Sequence, residues 1–139
     1  LLHPVVHLHL FNSCGELYLQ KRPAWKDIQP GRWDTAVGGH VDWGEEPLAA
    51  LRREVREEVG VTDFEPQHVL TYLFESERER ELVYVYKTVY DGPVVPSGEL
   101  DGGRFWTLRE IAEGVGGGIF TPNFEGEIRR VAELPDVGR

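Results

Sequence analysis

The sequence contains a single cysteine, Cys14, among its 139 residues. A lone thiol forms no internal disulfide and leaves no paired-cysteine zinc motif. Its setting, Asn12-Ser13-Cys14-Gly15, reads as a turn. Positive charge is also scarce: 15 Lys and Arg stand against 24 Asp and Glu, with a net charge of −9 and a pI near 5.0. That balance argues against a nucleic-acid polymer as partner, which calls for a basic surface. It does not exclude a phosphorylated small molecule, because a bound metal can supply the positive charge. No apolar run reaches the length of a membrane span, and no secretory leader is visible. A cytoplasmic location is the expectation, although the sequence starts at Leu1 rather than Met, which leaves an upstream segment open. What remains is an ordinary globular composition, 40% hydrophobic and 28% charged, in a chain long enough to bury a core. One domain over residues 1–139 is expected, with no repeat, low-complexity tract or linker.

Alternating segments at 5–11 and 16–22 flank the Asn-Ser-Cys-Gly turn and predict a β-hairpin. Two prolines and a Pro-Gly pair make 23–32 a loop. Residues 33–37 predict a short strand feeding Gly38-Gly39, and 46–59 a helix that admits Pro47 in its first turn and stops at Gly60. Strands are expected at 67–74 and 81–90, around the charged segment 75–80. A Gly- and Pro-rich loop at 91–103, a short strand at 104–107 and helices at 108–113 and 122–134 complete the pattern. Strands interleaved with two main helices predict an α/β fold, a mixed sheet covered by helices.

The densest information lies in GHVDWGEEPLAALRREVREEVGV, residues 39–61. On a helix, positions three and four apart share a face, so Glu54, Glu57 and Glu58 project together. Leu48, Leu51, Val55 and Val59 form a neighbouring apolar stripe for burial, from which Glu57 and Glu58 are expected to point away. Like charges at that spacing cost about 0.2–0.5 kcal/mol per pair, and all-oxygen, multi-carboxylate sites suit hard divalent cations. A Glu-rich helix face alone is usually solvated surface. The full pattern is more demanding: Gly39, Glu45, Arg53-Glu54, Glu57-Glu58 and Gly60 stand at fixed spacing. From average residue usage a random start matches with a probability on the order of one in a billion.

This pattern resembles the Nudix box, matched at every fixed position, and the chain is identified on it as similar to the Nudix hydrolases. The resemblance implies an α/β/α sandwich and metal-dependent hydrolysis of a diphosphate bond in a small molecule. It implies a Mg²⁺ or Mn²⁺ cofactor held by Glu54, Glu57 and Glu58 with the carbonyl of Gly39. Glu57 or Glu58 would serve as base. Arg53, four residues before Glu57, is placed to pair with it and fix its orientation, and Glu45 to cap or hydrogen-bond. Glu79 and Glu81 lie outside the box and share a face if extended. A charged turn is the plain reading of ESERERE, but many Nudix hydrolases carry an extra Glu ligand or base in this region.

The segments LLHPVVHLHLFN, LYLQKRPAWKDIQPGRWDTAVGGH and FTPNF look like the isopentenyl diphosphate isomerases of the same superfamily. Those enzymes bind metal through histidines and two strand glutamates, which here correspond to His3, His40, Glu79 and Glu81. They carry a catalytic Cys directly before the Gly-His pair, where this chain has Gly38, and their box is degenerate where this one is whole. Hydrolysis is therefore expected and isomerisation is not. A ligand-sensing Nudix domain, a class that tends to lose box glutamates, fits less well because all remain.

His7 and His9 alternate with apolar residues and read as structural. Lys21, Arg22, Lys26 and Arg32 precede the box and can meet phosphates. Trp33 is the candidate stacking residue among Trp25, Trp33, Trp43 and Trp106, against a packing role. The run 114–118 lacks the ending of a P-loop and reads as a flexible loop. The substrate, the preferred metal and the oligomeric state stay open, a homodimer included.

Overall fold

The structure, a computed structural model, describes residues 2–25, 29–98 and 102–138. Lys26 and residues 99–101 of the expected 91–103 loop lie outside the described residues. The elements run β1 (Leu2–Phe11), β2 (Leu17–Lys21), β3 (Trp33–Thr35), β4 (Val37–His40), α1 (Pro47–Val59), β5 (Gln67–Glu75), β6 (Arg80–Val89), β7 (Gly103–Trp106), α2 (Leu108–Gly114) and α3 (Pro122–Val131). The strands form one mixed sheet in the order β3-β2-β1-β6-β5, with β4 on β1 and β7 on β2. Among the strands of the described residues, β1 and β6 pair in parallel, in register from Leu2↔Arg80 to Phe11↔Val89. This long pairing carries β1 back to Leu2, before the expected start at residue 5.

The period-2 alternation of β1 divides the core. Val6, Leu8 and Leu10 face α1 and pack with Leu51, Val55 and Val59. Val5, His7 and His9 face the opposite layer: Val5 packs with Val83, Val85 and Val131, while His9 stacks on Phe124 of α3. A second cluster joins Leu17, Leu19 and Trp106 to Ile111, Phe120 and Phe124 beneath α2 and α3. The result is the α/β/α sandwich, with the sheet between α1 and the C-terminal helices. No helix among the described residues is long and apolar enough to cross a membrane.

Several boundaries differ from the sequence expectation. The strand expected at 33–37 is two strands, because β3 pairs with β2 while β4 crosses to β1, and the break at Ala36 allows the change of neighbour. The hairpin is short, limited to Leu10↔Tyr18 and Phe11↔Leu17, since β4 takes that side of β1 from Val5 to Leu8. Helix α3 stops at Val131 rather than 134: Ala132 is extended, and Pro135 disfavours helical geometry just before it. In α1 the buried side chains are Ala50, Leu51, Val55 and Val59. Leu48 is 44% exposed, so the ridge at spacing four carries the packing and the first-turn leucine does not. Gly60 caps the helix at φ 70°, its N–H donating to the Arg56 carbonyl, a left-handed geometry that glycine adopts without strain.

A buried polar clasp ties α3 to the sheet. Glu127 accepts from His7 Nδ1 at 2.7 Å, His9 Nε2 at 2.9 Å and the Tyr72 hydroxyl at 2.5 Å. Burial disfavours the Glu127 carboxylate, but the His7 charge and the histidine hydrogen bonds outweigh it and hold its pKa well below the ordinary carboxylate range. For His7, burial likewise works against the cation, and Glu127 outweighs it, raising the pKa above 6.5. The depressed carboxylate contributes stability that is lost as pH falls below the unfolded value of about 4.3. The raised imidazole contributes stability present below about 6.5 and lost as pH rises through its folded pKa. Glu127→Ala, which strands a buried imidazolium, is expected to cost about 3–5 kcal/mol in urea unfolding. The stability gap between wild type and Glu127→Gln should be widest between about pH 4.5 and 6.5 and narrow on either side. A gap that does not vary with pH would show that the pair is not charged.

Candidate active site

The Gly38-Gly39 pair in β4 opens a cleft of about 1440 Å³ between α1, the β3 end of the sheet and the start of β6. Glycine is required by close approach. A Cβ at Gly39 would collide with the carboxyl group of Glu54, so the missing side chain is what lets α1 lay its carboxylates against the strand.

Glu54, Glu57 and Glu58 all line this cleft, in different environments. The Glu57 side chain is 54% exposed and that of Glu54 only 16%. Glu58 is turned inward rather than away from the buried face, and its backbone carbonyl accepts from Ser97 N. Burial, then the hydrogen bond and charge of Glu54, push the Glu58 pKa from 4.5 up to about 9; the Gly38 backbone N–H and Gln20 pull weakly the other way. Burial and the neighbouring Glu54 carboxylate thus favour the protonated form of Glu58, which hydrogen-bonds to Glu54.

Arg53 organises the surroundings. It donates from Nε and Nη2 to the two Glu45 oxygens, each at 2.9 Å, from Nη1 to Glu54 at 2.6 Å and from Nη2 to the His40 carbonyl at 3.0 Å. The expected Glu57 contact is present but long, 3.5 Å. Arg53 therefore orients chiefly Glu45, Glu54 and the turn after β4. The Arg53 hydrogen bonds and then the Asp42 N–H bring Glu45 down to about 2.

Glu79 and Glu81 line the cleft as well, as does His40 at the end of β4. Glu79 sits in the turn that closes where Ser76 N donates to its carbonyl, and Glu81 lies in β6 beside His3. Burial and then the Glu79 charge raise the Glu81 pKa. The His3 and His40 rings stand edge-on, 6.2 Å between centroids. Arg22 lines the cleft and pairs with Asp34 at 3.8 Å. Lys21 ends β2 outside the described lining. Trp33 turns away: its ring packs edge-on against Trp106 at 5.2 Å, because a large aromatic beside the second core cluster gains more from burial than from solvent. Cys14 is exposed in the β1–β2 turn.

Sequence reasoning missed Gln20, Asp34 and His7, which also line the cleft, and Glu127 beneath it. A signal existed for His7: residues 3, 7 and 9 share one strand face, and three histidines on one face are an unusual core.

Among the described residues no three His, Cys, Asp or Glu side chains are preassembled around one point, since Glu54 is drawn to Arg53. The donor set nevertheless fits a hard divalent cation: all-oxygen carboxylates line the cleft beside Gly38-Gly39, where no side chain intervenes.

Comparison with known proteins agrees with this geometry. The NUDIX domain profile matches residues 1–124. The chain is 36% identical over 97 residues to an uncharacterised Nudix hydrolase of Pseudomonas aeruginosa, covering 69% of this chain and 57% of that protein. It is 31% identical over 118 residues to an isopentenyl-diphosphate Δ-isomerase of Serratia proteamaculans, covering 81% and 64%. The chain thus spans about six-tenths of the length of these two relatives. The fold superimposes on a crystal structure from Deinococcus radiodurans with a TM-score of 0.79 at 26% identity, covering 92% of this chain and 82% of that one. It does so on a MutT protein from Methanosarcina mazei with a TM-score of 0.78 at 24% identity, covering 93% and 91%. With an intact box on α1 and a profile match that spans most of its length, the chain belongs to the Nudix family.

Proposed function

We propose that residues 1–139 act as one Nudix domain, a divalent-metal-dependent hydrolase that cleaves the diphosphate bond of a nucleoside-diphosphate-linked or other organic diphosphate. The observation that carries this reading is the Glu54–Glu58 pair, Glu54 against Gly39 and Glu58 bonded to the Gly38 backbone, with Glu57 lining the same open cleft. Glu54, Glu57, Glu58 and the Gly39 carbonyl would hold Mg²⁺ or Mn²⁺, with Glu79 and His40 as further ligands. When bound, the ion supplies charge for the phosphate oxygens and acidifies water. Arg53 holds Glu54 and the β4 turn in place. Glu57, the more exposed box carboxylate, and Glu58 are the candidate bases, with Glu81 across the cleft as a third. Arg22 is the cation best placed to meet a phosphate.

Isomerisation is the second reading, favoured by the isomerase relatives and by the His3–His40 approach beside Glu81. It requires proton addition and removal at carbon. Gly38 offers no thiol for this, and Cys14 stands in the exposed β1–β2 turn.

Glu57→Gln and Glu58→Gln are each expected to lower kcat at least about a hundredfold, the scale of losing a ligand or base. Assays with a panel of nucleoside and isoprenoid diphosphates in ¹⁸O water, read by product mass, supply the measurement. Near-wild-type turnover of both variants in saturating Mg²⁺ would sink the mechanism.

The raised Glu58 pKa has a consequence for stability. Above pH 4.5 the unfolded carboxyl ionises while the folded one stays protonated up to about 9, so metal-free stability falls across that window. Calorimetry in EDTA should find Glu58→Gln close to wild type at pH 4 and clearly higher in Tm at pH 8. A difference that does not grow with pH would refute the raised Glu58 pKa. Purified protein should also convert no isopentenyl diphosphate to dimethylallyl diphosphate, and isomerised product unaffected by Cys14→Ala would reverse the choice of reaction.

A further inference from the structure

The floor of the cleft contains a histidine to which the proposed hydrolysis gives no task. His7, in the middle of β1, is the register partner of Gly38, and its side chain is 13% exposed and lines the cleft. Its Nδ1 is committed to Glu127. The other ring edge is turned toward Gly38: a Cβ placed there would lie 3.3 Å from His7 Cδ2 and 3.6 Å from Nε2. Since residue 38 has no side chain, that edge is not covered.

The ring is fixed from beneath. Glu127, 2% exposed, takes the His7, His9 and Tyr72 donors together. Rotating His7 would leave a buried carboxylate short of a partner, which is costly. The Glu127 charge also favours the imidazolium, whose remaining N–H is Nε2–H. Asp34 and Glu81 lie on the cleft side of the ring, and Asp34 is already engaged by Thr35 N and Thr121 Oγ1. A diphosphate entering a cleft walled by Glu54, Glu57, Glu58 and Glu81 meets mostly like charge. Arg22 and Arg78 reach the cleft from segments outside the strands, whereas His7 offers a donor from the central strand, held in one orientation.

We propose that His7 is a substrate-binding residue whose Nε2 edge donates a hydrogen bond to a phosphate oxygen of a diphosphate lying over Gly38 and Gly39, with Glu127 as the positioning residue behind it. The inference rests on reading the cleft as a diphosphate site, and its test reads binding rather than turnover. Methylenediphosphonate, which cannot be hydrolysed, is titrated with Mg²⁺ into wild type and His7→Gln by calorimetry. The His7 ring ¹⁵N resonances of wild type are followed in parallel by NMR. The variant is expected to bind at least about tenfold more weakly, the scale of one charge-assisted hydrogen bond, and the wild-type Nε2 resonance to shift with saturation while Nδ1 holds. Equal affinity in a folded variant, an unmoved Nε2 resonance, or no binding of the probe by wild type would each overturn the proposal. Should His7→Gln fail to fold, the wild-type resonance decides alone. A wild type that binds the probe through His7 yet hydrolyses no diphosphate would defeat the proposed reaction and leave this role standing.

Discussion

The whole site depends on two side chains that are missing. Gly38 and Gly39 lie next to each other in β4, so a Cβ on each would point to opposite faces of the sheet. On one face the vacancy at Gly39 admits Glu54; on the other, the vacancy at Gly38 leaves a ring edge of His7 uncovered. Chemistry-bearing groups from α1 and β1 therefore approach one short stretch of backbone from two layers of the sandwich. A side chain at Gly39 would push Glu54 away, and one at Gly38 would cover the His7 ring edge.

Charge is what this arrangement has to manage. Three carboxylates at helical spacing are held near the strand, and the conflict falls on Glu58, whose pKa burial and the Glu54 charge raise. Arg53 relieves part of the rest. It ties Glu45, Glu54 and the His40 carbonyl into one network, which joins the loop entering α1 to the carboxylate nearest Gly39. Under the proposed reaction a divalent ion would draw on the same oxygens and offset the charge that an acidic substrate brings to an acidic protein. Beneath the sheet the polarity is reversed: Glu127 is a single buried carboxylate surrounded by donors.

The box was legible because local geometry suffices for it. Once residues 47–59 are helical, Glu54, Glu57 and Glu58 share a face whatever the rest of the chain does, and Gly60 can end the helix without help. Most strands were legible from alternation for a similar reason, since period 2 is a local property. Boundaries moved where a distant partner intervened. β6 extended β1 to Leu2, and the change of neighbour at Ala36 divided one expected strand into two.

The sequence by itself determined the family, the helix that displays the glutamates and the absence of a thiol at residue 38, because each is written in contiguous residues at fixed spacing. Tertiary structure alone decided which of those glutamates is enclosed, that Trp33 turns inward to Trp106, and that His7 stands over a carboxylate 120 residues away. Enclosure and long-range pairing depend on how the layers of the sandwich close on one another, and periodicity along a single segment carries no record of its partner.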